Sequence, residues 1–228
     1  MLGVLMSIST NDINKFSKYC ETNFLNEISI YKQSTSQYQS LSVCILDCVY
    51  SLQASYSCAK NVVQNYADYY LNGDKNSPND TLDDFINRIG SNATDFATTK
   101  LKNNQKLAKQ CKASICKELA RKLYELLNIN TLNDFKNFHK IELLEIVIKS
   151  VNGIKDAATN YLFMLAGDPN RCKPDVHILH CVRDAIGKPV SSAECQSLFS
   201  ASVSKLISIN PNLTVAALDH IIWEKYST

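Results

Sequence analysis

Glycine and proline are scarce in this chain, at six and five residues in 228. A sheet-rich domain needs a tight turn roughly every 8–12 residues, so an all-β fold is excluded. Long apolar runs are missing too. None approaches the ~18 residues that a membrane-spanning helix requires. The apolar opening Met1-Leu2-Gly3-Val4-Leu5-Met6 is short and lacks a basic start. It runs directly into Asn11-Asp12-Ile13-Asn14-Lys15, so no signal peptide is expected. Metal-binding cysteine spacing is also missing. The nine cysteines (Cys20, Cys44, Cys48, Cys58, Cys111, Cys116, Cys172, Cys181 and Cys195) contain no Cys-x-x-Cys pair. Zinc and iron–sulfur readings therefore have little support, and no cofactor is expected. Most of these cysteines sit inside apolar helical patterns and read as reduced, buried thiols of a cytoplasmic protein. Nor does one sign of charge dominate. A net charge of +2 gives no argument for nucleic-acid binding by itself.

What is present is apolar residue at helical spacing. Hydrophobic residues make up 45% of the chain, enough for one large domain or two small ones sharing an interface. Residues 41–67 carry Ile45, Cys48, Val49, Leu52, Ala59, Val62, Val63 and Tyr66 on a three-to-four spacing. Residues 72–80 are polar and read as a loop. Thr81 with Asp84 three positions on predicts a capped helix over 82–89, ended by Gly90. Residues 112–127 form an amphipathic pattern, with Ile115, Cys116, Leu119, Ala120 and Leu123 on one face. Thr131 with Asp134 opens a short helix, 140–149 is the next, and 160–166 is a third. Ser191 with Glu194 starts a helix over 193–207, and Thr214 caps a last one running to Tyr226. No strand alternation and no internal repeat is visible. The expectation is an all-α chain of about ten helices.

Four short segments carry the functional reading. Val151-Asn152-Gly153-Ile154 is a glycine turn between two helices. Lys173-Pro174-Asp175-Val176-His177-Ile178 opens a helix on an aspartate, 22 positions further on. Ser51-Leu52-Gln53-Ala54-Ser55 and Gln110-Cys111-Lys112-Ala113 lie upstream. Together they resemble, in order, the helix-hairpin-helix base-excision DNA glycosylases of the endonuclease III-like superfamily. The second segment resembles that family's catalytic loop. The third resembles Ser-Ala-Gln-Ala-Thr, on the helix whose glutamine fills the gap left by a flipped base. The fourth resembles an Asn-x-Lys-Ala helix start. The matches span Ser51 to His177.

The resemblance implies a function. Asp175 would be the catalytic carboxylate, stabilising the cationic sugar and orienting water. Gln53 would plug the duplex after the base is extruded. Gly153, Lys155 and Lys112 would contact DNA, the glycine turn through backbone N–H groups aimed at phosphate. The partner would be double-stranded DNA with a flipped base, the protein a monomer without a membrane anchor. Two departures qualify the match. The family's second hairpin glycine falls on Lys155, and its lyase lysine falls on Ala157, or on Asp156 if the loop differs by one residue. Without that lysine no Schiff base forms, so the implied enzyme releases the base without cutting the strand. The alternatives are a non-catalytic DNA-binding protein of the same fold, or a bifunctional glycosylase/lyase using Lys155.

Each residue also has a plainer reading. Asp175 is a natural N-cap for the helix that follows. Gln53 can be an ordinary surface residue, and Gly153 a helix C-cap. His177 and His180 share one helix side near Cys181, but without a carboxylate motif they read as structural, and no metal is assigned. Lys100, Lys102, Lys106, Lys109, Lys112 and Lys117 form the densest basic run, a solvated face or a phosphate track. Tyr50, Tyr56, Tyr161 and Trp223 are core aromatics or stacking partners for a base. The expected architecture has two helical lobes with a cleft between them and Asp175 at its mouth. Residues 40–170 form one lobe containing the hairpin; 1–39 and 171–228 form the other.

Overall fold

The computed structural model describes residues 8–32 and 38–227. The opening apolar segment, on which the leader reading rests, lies outside the described residues. Twelve α-helices and one two-stranded hairpin occur among those described. In chain order the helices are α1 (Thr10–Ile30), α2 (Leu41–Ser51), α3 (Tyr56–Tyr70), α4 (Leu82–Ile89), α5 (Ala93–Thr99) and α6 (Lys112–Leu127). They continue with α7 (Leu132–Lys136), α8 (Ile141–Lys149), α9 (Asp156–Leu165), α10 (Val176–Ile186), α11 (Ser192–Leu206) and α12 (Val215–Tyr226). The strands β1 (Lys106–Leu107) and β2 (Gln110–Cys111) pair antiparallel. The chain is all-α.

Caps set most boundaries. Ser9, Thr131 and Ser191 form reciprocal capping boxes with Asp12, Asp134 and Glu194. Thr81 and Thr214 cap α4 and α12 through their side chains. Gly90 and Gly187 end α4 and α10 at φ +62° and +79°, where a side chain would be strained.

The chain divides into two compact units, Ser36–Gly167 and Met1–Thr35 with Asp168–Thr228. In the continuous unit α2 is the central element, buried from Leu41 to Tyr50. It packs against α3, α6 and α9, while α6 also packs against α4, α5 and α8. A helix buried all round must satisfy its own polar groups. Asp47 does so by accepting the hydroxyls of Tyr38 at 2.8 Å and Tyr161 at 3.1 Å. The N-cap Ser40 donates to the buried carboxylate of Asp80, which also takes the Tyr66 hydroxyl and pairs with Arg88. Tyr50 is fully buried and belongs to the core.

In the discontinuous unit α1 packs against α10, α11 and α12. Phe16 and Phe199 meet at 5.1 Å between ring centroids. Asn210 donates to the Ile28 and Tyr31 carbonyls at 2.8 Å each, closing the C-terminus of α1. Lys188 pairs with Asp12 at 2.8 Å and holds that carboxyl down at about 2. All nine cysteines are free, and seven of them are buried. Burial pushes the Cys20, Cys44 and Cys116 thiols up, so they are not nucleophiles at neutral pH.

Candidate functional site

Gln53 is not on a helix. α2 stops at Ser51, and residues 52–55 turn the chain into α3. Gln53 occupies the left-handed region at φ +52° and is exposed. For a residue other than glycine this conformation has a cost, so something must hold it. Lys112, the first residue of α6, supplies that hold. Its side chain is buried, and its Nζ donates to Leu52 O at 2.6 Å, Tyr50 O at 3.2 Å and Gln105 Oε1 at 2.9 Å. The ammonium therefore sits on the carbonyl end of α2, where the helix dipole favours a cation. It also lies 5.6 Å from the centroid of the Tyr50 ring. Burial pulls its pKa below the ordinary lysine value.

This corrects one sequence expectation. Lys112 does not offer its charge to a phosphate, because it is 1% exposed and its donors serve internal acceptors. The residue acts on the turn before Gln53 from beneath.

The Gly153 turn joins α8 to α9. Val151 and Ile154 are buried and anchor it, with Ile154 N donating to Val151 O at 3.1 Å. Gly153 has φ +91°, and a Cβ there would lie 3.0 Å from Leu107 Cδ2 and 3.7 Å from Ala108 Cβ. Glycine is thus required twice, by conformation and by the close approach of the β1–β2 hairpin. That hairpin links the matched segments of this unit: Leu107 packs on Gly153, and β2 runs into Lys112. Its tip residues Ala108 and Lys109 both have positive φ. Sequence reasoning missed the hairpin because its strands are two residues long and its turn lacks the Asn-Gly signature.

Lys155 is the N-cap residue of α9, with an exposed side chain. Among the described residues it has no ion-pair partner. Asp156 beside it pairs with Lys149 at 2.7 Å, closing the hairpin across its base. Ala157, where a lyase lysine would fall, is half-buried. Within the basic run, Lys100 lies 4.8 Å over the Tyr69 ring and Lys117 donates to Gly90 O. Lys102, Lys106 and Lys109 are exposed.

Asp175 belongs to the other unit. It is the N-cap of α10, as its plainer reading requires, and is half-buried. Its Oδ1 accepts the amides of His177 at 3.0 Å and Ile178 at 3.1 Å. Its Oδ2 accepts no hydrogen bond among the described residues. Capping thus occupies one oxygen and leaves the other available. His177 Nδ1 lies 2.9 Å from Tyr226 O. A carbonyl can only accept, so Nδ1 carries the proton and Nε2 the lone pair when the ring is neutral. Trp223 packs edge-on against His177, with ring centroids 6.4 Å apart. Among the described residues no group of three His, Cys, Asp or Glu is arranged to hold a metal ion.

Two surface grooves lie away from these positions. One, of about 700 Å³, is lined by residues of α1 and the end of α10, including Lys15, Lys18, Tyr19 and Asp184. The other is lined by Leu126, Leu127, Phe138 and Leu143. Neither contains Gln53, Lys112, Gly153, Lys155 or Asp175.

The sequence profile of a domain family of unknown function, DUF8548, matches residues 14–227. No curated protein and no solved structure matches the chain.

Proposed function

For this chain, which belongs to the DUF8548 family, we propose a DNA N-glycosylase that hydrolyses the bond between a damaged or mispaired base and its sugar. The observation that carries the reading is the Gln53 turn. An exposed amide side chain stands on a left-handed residue, and a buried ammonium that caps α2 holds the carbonyl just before it. An exposed glutamine on a turn suits the task of filling a base-sized gap, because its amide can both donate to and accept from the orphaned base.

The other parts fit the same chemistry. The Gly153 turn precedes α9, and backbone N–H groups at such a turn suit phosphate oxygens. Lys155, exposed at the same place, adds charge to that contact. Asp175 contributes a carboxylate oxygen that α10 capping leaves unused. As the C1′–N bond breaks, that oxygen stabilises the positive charge on the sugar and orients a water. The base leaves with a proton and the water's hydroxyl takes its place on C1′. Alanine at position 157 favours base release without strand cleavage.

The test uses duplexes with single lesions: uracil, 8-oxoguanine, 3-methyladenine, hypoxanthine, and thymine opposite guanine. Each is incubated with wild type and Asp175→Asn, then treated with alkali. Base release lost in the variant supports the reading. Tight, salt-dependent lesion binding without release supports a non-catalytic binder instead. Absence of salt-dependent DNA binding sinks both. A borohydride-trapped adduct that disappears in Lys155→Ala makes the enzyme bifunctional.

A further inference from the structure

The loop leading into Asp175 is tied to α11 and α12 at four points. Ala216 N donates to Pro169 O at 3.0 Å. Gln196 grips the loop with both ends of its amide, accepting from Cys172 N at 3.0 Å and donating to Asn170 O at 2.8 Å. Asp219, in the middle of α12, accepts from Lys173 N at 2.7 Å. That contact is the shortest of the four and the nearest to Asp175. It is made by a carboxyl only 4% exposed, on a helix face where an apolar residue would be the default. Burying an acid there is costly unless the group does a job no apolar residue can do. The job at hand is to hold a backbone amide two residues before the candidate catalytic carboxylate.

We propose that Asp219 is a positioning residue for Asp175, fixing the Lys173 amide so that the free Asp175 oxygen stays aimed at its target while Oδ1 caps α10. The functional half of this inference rests on the glycosylase reading; the geometric half does not. Asp219 acts through the backbone and touches no substrate. What matters is its acceptor oxygen, not its charge. Asparagine, which keeps an acceptor of the same length, therefore replaces it, and alanine does not.

The experiment compares wild type, Asp219→Asn and Asp219→Ala on two readouts. The first is single-turnover base release against DNA affinity. Asp219→Ala slows release at least tenfold while Kd for an abasic-site duplex changes less than twofold, and Asp219→Asn stays within threefold of wild type at pH 7. The second is amide hydrogen exchange of Lys173, His177 and Ile178. Protection falls at least tenfold in the alanine variant and is kept in the asparagine one. Wild-type release and wild-type protection in Asp219→Ala overturn the proposal, as does equal loss in the two variants. If wild type itself releases no base, the glycosylase reading fails and exchange alone decides the Asp219 contact. If Asp219→Ala does not fold, the wild-type Lys173 amide-proton shift decides. It must move as Asp219 titrates, and a flat profile overturns the contact.

Discussion

Lys112 Nζ lies 2.6 Å from the carbonyl oxygen of Leu52, the residue immediately before Gln53. The contact joins a buried charge to an exposed turn. Lys112→Met keeps the stem and removes the ammonium. It leaves the Tyr50 and Leu52 carbonyls without that donor, while the Gln105 amide oxygen keeps the Cys58 thiol. The Tyr50 carbonyl is the buried one, and an unsatisfied buried acceptor costs about 1–3 kcal/mol, partly recovered by relaxation. A lower urea midpoint at unchanged m-value is expected. The salt dependence of DNA binding is the sharper measurement. On the proposed function its slope stays unchanged in Lys112→Met and drops by about 0.9 in Lys155→Ala, since Lys112 is buried and Lys155 is exposed.

Gly153→Ala puts a side chain at φ +91° and within 3.0 Å of Leu107 Cδ2. Either effect alone destabilises. Together they cost roughly 1–3 kcal/mol. In a chain of this size that lowers Tm by about 2–4 °C per kcal/mol. A variant as stable as wild type in thermal unfolding would show that neither the turn nor the Leu107 contact is as tight as described.

Asp175 has two roles that substitutions can separate. Asparagine caps helices about as well as aspartate, so Asp175→Asn should unfold within a few tenths of a kcal/mol of wild type. Alanine offers no oxygen to the His177 and Ile178 amides, and Asp175→Ala should lose about 1 kcal/mol. Denaturant titration of the two variants checks this. If asparagine costs as much as alanine, the carboxylate charge itself stabilises the fold, and lost activity in that variant could not be assigned to chemistry.

Asp219 gives stability a pH dependence of definite sign. Burial is the main cause that pushes its pKa to about 8, with Asp175 adding to the rise and Lys173 opposing it. The unfolded carboxyl titrates near ~3.9. Between those values the folded state holds a proton that the unfolded state has released. Stability from this group therefore falls as pH rises from about 4 to about 8, and is level above. The slope is at most ~1.4 kcal/mol per pH unit. Asp219→Asn lacks this loss, so its advantage over wild type should grow between pH 5 and pH 8. Cys172, whose thiol is pushed up by its hydrogen bond with Cys195 and then by burial, remains neutral throughout that range. Urea unfolding of both proteins at pH 5, 7 and 8.5 measures the difference, and a constant gap would place the Asp219 carboxyl outside the window.

Much of the fold was legible along the chain. Thr81, Thr131, Ser191 and Thr214 marked their helices because a cap is a local event between residues three apart. Residues 112–127 were read to the same limits as α6, whose buried stripe follows a 3.6 period. The break at 52–55 was not legible, since apolar periodicity runs on through Leu52 and the turn carries no glycine or proline. α5 and the β1–β2 hairpin were missed because seven and two residues are too few for a period to declare itself. Among the described residues twelve helices stand where about ten were expected.

The sequence by itself determined helical class, the capped boundaries, the glycine at 153 and the aspartate at 175. These follow from local propensity, from a φ that only glycine takes easily, and from an N-cap that aspartate fills well. What Lys112 does was decided only by tertiary structure. A lysine in a basic run reads as a solvated or phosphate-facing charge, and the sequence does not name the carbonyls it serves. Its role emerges from burial against Tyr50 and Leu52, some sixty positions upstream, where the end of α2 leaves carbonyls that need a donor. The same holds for Asp219, whose partner amide lies 46 positions away in the chain. Sequence periodicity assigns a residue to a face, but the partner that makes a buried charge tolerable is chosen by packing across the fold.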